Sequence, residues 1–406
     1  MSLMPTIPLL QVPIKIKTAH MKIKDSMAKN ISTCILDIDI YKNEPKVIEH
    51  EKTANHEGWV GTEMEVLIAG NWTTYKSRIV KYLQQLAIIT PYARLKLHYS
   101  KMGDETKDMI IRYDRRSEQM PPPAREVKHH PSSVSLLSYS FHKNILNSYH
   151  CWGLLFATSQ INNLLCQQLV DKSKSATFLK FLCNDLSGVT PSIAKRVIAE
   201  LGGKFSESMK PSDLTGKQIT ILVQLLRKVE LFKAPDGSCL SPLGEYNLNL
   251  GIRKVIEPNI VATSRDKPSS YEGHPFIVEA AISLGGSAKE GINVFRFSNR
   301  IPLLFEAGAD VVTRVAQSKI KWSSYKIDHK RDKINVFVSI VSTKIPFKGT
   351  GKEYIGDDIT PIQVSVKRAL QTCCQQLKSH LSKRNALRDM KERKSRLIKY
   401  VPDVSR

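Results

Sequence analysis

Acidic residues are scarce in this 406-residue chain: 38 Asp plus Glu stand against 61 Lys plus Arg, a formal net charge of +23. That excess points to a polyanionic partner, most often nucleic acid, because neutralising phosphates releases condensed counterions. Long apolar runs are missing too. With no stretch of 18 or more apolar residues, no membrane-spanning helix and no membrane partner are expected. The apolar start, Met1 to Pro13, is short and has neither a charged lead-in nor a small-residue cleavage site, so it does not read as a signal peptide. The seven cysteines (Cys34, Cys151, Cys166, Cys183, Cys239, Cys373, Cys374) include no C-x-x-C pair for zinc and no disulfide-like spacing. A reducing compartment is the expectation. Adjacent Cys373 and Cys374 lie in a helical pattern and read as packing residues. The length allows two or three domains, each able to bury a core.

What is present sorts into three regions. The first hundred or so residues are β-rich. Leu36, Ile38 and Ile40 alternate with Asp37 and Asp39, the period of a half-buried strand with its aspartates toward solvent. His50, Glu51 and His56 match no zinc spacing. Glu63 to Ala69 predicts another strand, and Asn71 caps a helix carrying Tyr75, Ile79, Leu83 and Leu86 that Thr90-Pro91 ends. Arg94 to Tyr99 and Asp108 to Asp114 predict a hairpin through Gly103-Asp104. Met120-Pro-Pro-Pro123 marks a linker. Short helices follow over Phe178 to Phe232, punctuated by Gly188, Pro191, Gly202, Gly203 and Pro211. Ile193, Val197, Ile198 and Leu201 make one apolar face there, with Lys195, Arg196 and Lys204 pointing elsewhere. From about Leu243 the pattern is α+β: strands at Phe276 to Leu284 and Gly291 to Ser298, a turn at Gly285-Gly286, and a central strand at Lys333 to Ile345. Thr360-Pro361 supplies a cap and first-turn proline. A helical stripe of Ile362, Val366, Leu370, Cys373, Leu377 and Leu381 follows. Its continuation is strongly basic, through Lys383, Arg384, Arg388, Lys391, Arg393, Lys394, Arg396 and Lys399.

Phe347-Lys-Gly-Thr-Gly-Lys-Glu353 hints at a phosphate-binding P-loop but fails its requirements. Pro346 stands where the first glycine belongs, and Glu353 stands where a magnesium-holding Ser or Thr belongs. What remains is a glycine loop presenting Lys344, Lys348 and Lys352, suited to an anion such as a terminal phosphate or simply solvated.

Four stretches carry a resemblance: Glu272-Gly-His-Pro-Phe-Ile-Val-Glu279, Phe295-Arg-Phe-Ser-Asn-Arg-Ile-Pro-Leu-Leu-Phe305, Ser342-Thr-Lys-Ile-Pro-Phe347 and Gly351-Lys-Glu353. Together they resemble the transducer domain of the topoisomerase VI B subunit family, its plant-type branch in particular. Gly61-Thr-Glu63, Gly70-Asn-Trp-Thr-Thr-Tyr75 and Thr90-Pro-Tyr-Ala93 are similar to the back half of that family's Bergerat-type (GHKL) ATPase domain. Lys128-His-His-Pro131 and Phe178 to Leu243 resemble its small helix–two-turn–helix domain. The resemblance implies an α+β chain of three parts. Residues 1–115 are a remnant of the ATPase domain, 116–242 a linker and helix–two-turn–helix domain, and 243–406 an α/β transducer ending in a long stem helix. It implies a dimer of B subunits that closes on ATP, captures double-stranded DNA and signals to A subunits. Those A subunits carry the cleaving tyrosine, so no DNA-cleaving residue is expected here. A transducer lysine meets the ATP γ-phosphate in the family; it is assigned to Lys352, with Lys344 as the alternative. Lys195, Arg196 and Lys204 are the DNA-facing candidates, the stem is expected to dock on the A subunit, and the setting is expected to be nuclear.

Two departures stand out. The adenine and magnesium motifs of the Bergerat site do not occur in the sequence, so ATP and Mg²⁺ are expected to serve the complete subunit and not to bind this chain alone. A truncated product or incomplete gene model is the expectation. Residues 138–165, including Tyr149-His-Cys-Trp152, read as an insertion absent from the family. Two functions therefore stay open: a topoisomerase subunit, or an adaptor without ATPase activity that binds DNA and the A subunit.

Overall fold

The structure, a computed structural model, describes residues 13–21, 28–39, 44–101, 103, 108–125, 128–131, 161–228, 232, 235–287, 289–305, 307–348 and 352–404. The chain divides into two units, 1–79 and 80–406, and the division falls inside a helix.

In the first unit, β1 (Ile14–Ala19), β2 (Asn30–Asp39), β3 (Glu44–Ala54) and β4 (Gly61–Glu65) form an antiparallel sheet in the order β3-β2-β1-β4. The alternation around Leu36 yields its strand, in which residues 31–37 are all partly buried. Among the described residues of this unit, Ala19 and Ala28 are the buried apolar ones. Asn55 ties the strands' end: its amide donates to the Ala28 and Trp59 carbonyls, both at 2.8 Å, and accepts the Trp59 N–H at 3.0 Å. The strand expected over Glu63 to Ala69 stops at Glu65. Its partner β1 begins at Ile14, and Lys15 already pairs with Glu65, so the ladder runs out. Val66, Leu67 and Ile68 have no strand partner among the described residues and are 55%, 71% and 80% exposed.

Helix α1 (Trp72–Ile89) opens where Asn71 Oδ1 accepts the Thr73 N–H at 2.9 Å, the capping expected of asparagine. It closes where the Thr90 N–H and hydroxyl both return to the Leu86 carbonyl, with Pro91 beyond. The second unit continues with the hairpin β5 (Leu95–Tyr99) and β6 (Met109–Tyr113). Four helices follow: α2 (Ile161–Lys172), α3 (Phe178–Asp185), α4 (Pro191–Leu201) and α5 (Gly216–Lys228). Thr177 and Thr190 cap α3 and α4 through the N–H groups of Lys180 and Ile193. Phe178, Phe181, Leu182, Val197, Ile219 and Leu222 supply their shared core. Of the extra segment 138–165, only 161–165 lie among the described residues; they make α2 start five positions before Cys166, where it was expected.

The remainder is one layered α/β body. Helix α6 (Glu245–Ile256) leads into β7 (Ile260–Arg265), β8 (Ser269–Tyr271), β9 (His274–Leu284), β10 (Gly291–Ser298) and β11 (Ile301–Pro302). Then come α7 (Val311–Arg314), β12 (Lys333–Ser342), β13 (Phe347–Lys348), β14 (Tyr354–Ile355) and α8 (Thr360–Val404). The main sheet runs β11-β10-β12-β9-β7 with β8 on β9, and β10 lies parallel to β12. Thus β12 is central, as its apolar run predicts. Strand period decides the two faces. Val278, Ala280, Ile282, Val336, Val338 and Ile340 meet the α8 stripe, with Ile362 through Leu377 buried. Ala281 and Phe337 turn the other way, onto Leu248, Ile252 and Ile256 of α6 and onto Ile88 and Ile89. Cys373 and Cys374 are buried in the first of these layers. Helix α8 begins with Thr360 itself, one residue earlier than a Thr360 cap requires. Beyond Leu381 its basic side chains from Lys383 to Arg396 are exposed. No described helix is long and apolar enough to cross a membrane.

Candidate functional site

The lysine-bearing segment starts where β12 ends. Ser342 stops the strand, short of the Ile345 expected, because its hydroxyl turns the chain. Oγ accepts the Lys344 N–H at 3.2 Å and lies 2.9 Å from the Pro275 carbonyl and 3.0 Å from that of Lys344. Asn299 holds the same residue from the side, its amide donating to the Ser342 carbonyl at 3.0 Å and accepting the Ser342 N–H at 2.9 Å. Asn299 and Arg300 have φ of +47° and +66°, left-handed values that asparagine tolerates and arginine rarely takes. Arg300 Nη1 donates to the Tyr92 hydroxyl at 3.2 Å. The Lys344 backbone is thereby fixed, while its side chain stands exposed.

Next to it, His274 Nδ1 is 3.0 Å from Thr343 Oγ1. Burial, and then the charges of Lys344, His129 and His130, push the His274 pKa down to about 4, so the ring is neutral near pH 7.

Lys348 and Lys352 follow, on and between β13 and β14, which pair Phe347 with Ile355 and Lys348 with Tyr354. Lys352 is exposed, with φ +52°. Lys348 is engaged: its Nζ donates to Asp358 Oδ2 at 2.7 Å. Arg314 Nη1 donates to the neighbouring Asp357 Oδ2 at 2.6 Å. Gly356 lies beneath the first pair. A Cβ there would sit 2.4 Å from Asp358 Oδ1 and 2.7 Å from Lys348 Cε.

Under this surface layer is a buried hub. Asp310 is fully buried. Its Oδ1 accepts the Val312 N–H at 2.9 Å and caps α7, and its Oδ2 accepts the Ile355 N–H at 3.1 Å. Arg296 Nη1 stands 3.3 Å from that Oδ2, as an ion pair without an aligned hydrogen bond. Arg296 Nη2 donates to the carbonyls of Leu303 at 3.1 Å and Phe305 at 2.6 Å. Burial pushes the Asp310 carboxyl upward, while Arg296 and the two N–H groups pull it back. One carboxylate therefore binds the sheet, α7 and the strand between Lys352 and α8 into a single piece.

A second buried carboxylate, Glu279 on β9, accepts the Leu243 N–H at 2.9 Å and the Gly244 N–H at 2.7 Å, anchoring the start of α6. Glu279, Arg296 and Asp310 were not singled out from the sequence. Two of them carry a signal that was legible: one charge inside an otherwise apolar strand, in His274–Leu284 and in Gly291–Ser298. The DNA-facing candidates lie at the surface of α4 and the turn after it. Lys195 Nζ is 4.0 Å from Glu207, Arg196 pairs with Glu200 at 3.4 Å, and Lys204 is exposed.

Known proteins match this sequence. A family model described as "Topoisomerase VI B subunit, transducer" covers residues 235–393, which hold both buried carboxylates, all three lysines and most of α8. The B subunit of DNA topoisomerase 6 from Arabidopsis thaliana is 48% identical over 376 residues, 92% of this chain and 52% of that protein. The Oryza sativa subsp. japonica protein of the same name is 47% identical over 388 residues, 95% of this chain and 52% of that protein. The B subunit of the type 2 DNA topoisomerase 6 from Saccharolobus shibatae is 33% identical over 396 residues, covering 97% of this chain and 67% of the archaeal protein. This chain belongs to the topoisomerase VI B subunit family. It spans about half the length of its plant relatives. A solved topoisomerase IV ATP-binding domain from Francisella tularensis aligns at 11% identity with a TM-score of 0.26, over 92% of this chain and 69% of that one, too distant to bear on the fold.

Lys344 and Lys352 present two exposed ammonium groups on one segment, a chemistry open to any anion. Among the described residues no group of three or more His, Cys, Asp or Glu is placed to hold a metal ion.

Proposed function

We propose that this chain is the transducer-bearing part of a topoisomerase VI B subunit. In the complete enzyme, ATP hydrolysis drives passage of one DNA duplex through another, cut by the A subunits, and relaxes supercoils. The reading rests on one observation above others: the buried Arg296–Asp310 hub grips Ile355, which lies between the solvent-facing lysine segment and the start of a 45-residue helix. Lys352 is assigned to the γ-phosphate, where a positioned point charge stabilises the negative charge that develops on the transferred phosphoryl group. Lys344 is the alternative. The base and Mg²⁺ ligands are assigned to parts of the subunit that this chain does not supply, so no step is assigned to the metal here.

Residues up to about 115 are assigned to the back of a GHKL-type ATPase domain, the α2–α5 bundle to the helix–two-turn–helix domain, and α8 to the stem that meets the A subunit. A second copy of the B subunit completes the A2B2 assembly, in a nuclear setting. Lys195, Arg196 and Lys204 are assigned to DNA phosphates, each contact adding about one unit of log–log salt dependence. Lys195 and Arg196 must first leave Glu207 and Glu200, an exchange of weak surface pairs.

The test is supercoil relaxation with purified A subunit and ATP. A B subunit joining this chain to a complete ATP cradle should relax DNA. The same protein with Lys352→Met should bind the A subunit and DNA yet lose ATP-dependent relaxation. Relaxation that survives both Lys352→Met and Lys344→Met would remove the reading, and binding without relaxation by the unaltered protein would make this chain an adaptor.

A further inference from the structure

The carboxylates Asp310, Asp357 and Asp358 each hold a different cation around the entry to α8, and burial separates them into two kinds. The Arg296–Asp310 pair is out of water, with side chains 3% and 1% exposed. Breaking such a pair leaves an unpaired buried charge and shifts an equilibrium more than about a hundredfold. The Lys348–Asp358 pair has side chains 46% and 61% exposed, and a pair so placed is worth only about two- to fivefold. The hub therefore cannot be released by a ligand arriving at the surface, whereas the outer pair can.

The chemistry of the outer pair says which ligand. Lys348 offers a compact ammonium with three donors to a single carboxylate, and a phosphate group presents more charge and more acceptor oxygens than that carboxylate does. Lys348 and Lys352 stand four residues apart around paired strands. Asp358 lies two residues before Thr360, the first residue of α8, so the Lys348–Asp358 pair ties β13 to the chain entering that helix. Gly356 leaves the room in which the two side chains meet, since a Cβ there would lie 2.4 Å from Asp358 Oδ1 and 2.7 Å from Lys348 Cε and one of them would have to shift.

We propose that Lys348 is a second phosphate-seeking cation held in reserve by Asp358, and that an oxyanion reaching Lys352 draws Lys348 away and frees the first turn of α8 while the Arg296–Asp310 hub holds. Lys348 and Asp358 are positioning residues in this scheme, and the scheme rests on Lys352 as the γ-phosphate cation.

The experiment is hydrogen–deuterium exchange on the full chain, following backbone amides of residues 355–366, with inorganic tripolyphosphate as the probe at matched ionic strength. Asp358→Asn and Gly356→Ala should each speed exchange there about two- to fivefold. Lys348→Met combined with Asp358→Asn should add nothing to either alone, and Lys348→Arg should keep exchange slow. Tripolyphosphate should speed exchange in the unaltered chain, leave Asp358→Asn unchanged, and not affect amides of α6. Unchanged exchange in both Asp358→Asn and Gly356→Ala would overturn the proposal, as would a tripolyphosphate effect that is absent from the unaltered chain or persists in Asp358→Asn. No A subunit or DNA is needed, so failure here is separate from failure of the relaxation test with Lys352→Met.

Discussion

Gly251, inside α6, should not tolerate alanine, although helix propensity says it should gain from it. In a helix interior the exchange of glycine for alanine normally stabilises by about 0.8–1 kcal/mol. Here a Cβ would stand 1.8 Å from the Ile88 carbonyl oxygen and 2.8 Å from its carbon. The obstacle is backbone at the buried end of α1, so no rotamer change relieves it. The two helices must part by roughly 1.5 Å to reach ordinary contact, and a gap approaching that size forfeits about half of each facing dispersion contact. The contacts at risk join Ile88 and Ile89 to Leu248, Ile252, Phe297 and Phe337. Overpacking of this kind costs about 1–3 kcal/mol where side chains can adjust, and the upper end applies where they cannot. Gly251→Ala should therefore lose about 2 kcal/mol net. Urea denaturation should show a lower midpoint with little change in slope, and Tm should fall by about 4 °C or more, at roughly 2–4 °C per kcal/mol for a domain of this size. A Gly251→Ala chain as stable as the parent, or more stable by the propensity gain, would refute the close approach of α6 and α1.

Asp310→Asn should destabilise by about 3–5 kcal/mol, because Arg296 would remain buried without its counter-charge; a loss under about 1 kcal/mol by denaturant titration would mean that the pair is solvated. His274 sets a pH dependence. Its folded pKa, about 4, lies below the ordinary 6.5, so the unfolded chain takes up the proton first. Its contribution to stability is complete above pH 6.5, falls as pH drops from 6.5 toward 4 and then levels. Comparing His274→Gln with the parent should show that part of the slope disappear, and equal slopes would contradict the burial argument. Burial pushes the Cys374 thiol up to about 12 and raises Cys373 as well. An aromatic disulfide reagent at pH 8 should therefore modify half-exposed Cys34 well before either of them, and equal rates would disprove their packing role.

Much of the transducer body was legible because its residues obey strong periods. The stripe from Ile362 to Leu377 could only be one face of a helix, and the ten-residue apolar strand ending at Ser342 could only be central. Local chemistry likewise marked the Asn71 cap and the Thr90-Pro91 stop. Boundaries that depend on a partner were less legible. Whether the strand after Gly61 continues past Glu65 depends on where β1 begins, far back in the sequence at Ile14, and whether β12 reaches Ile345 depends on Asn299 and Pro275 gripping Ser342.

Composition and periodicity by themselves determined that this is a basic α+β chain with a lysine-bearing glycine segment and a long terminal helix, and motif order carried its resemblance to the transducer, because these follow from residues near one another in sequence. Only the tertiary structure decided that Lys348 is held while Lys352 has no partner among the described residues, that Asp310 joins β10, α7 and β14, and that Gly251 is a contact point. Each of those depends on groups brought together from distant positions, where burial sets how strongly charges and atoms act on one another.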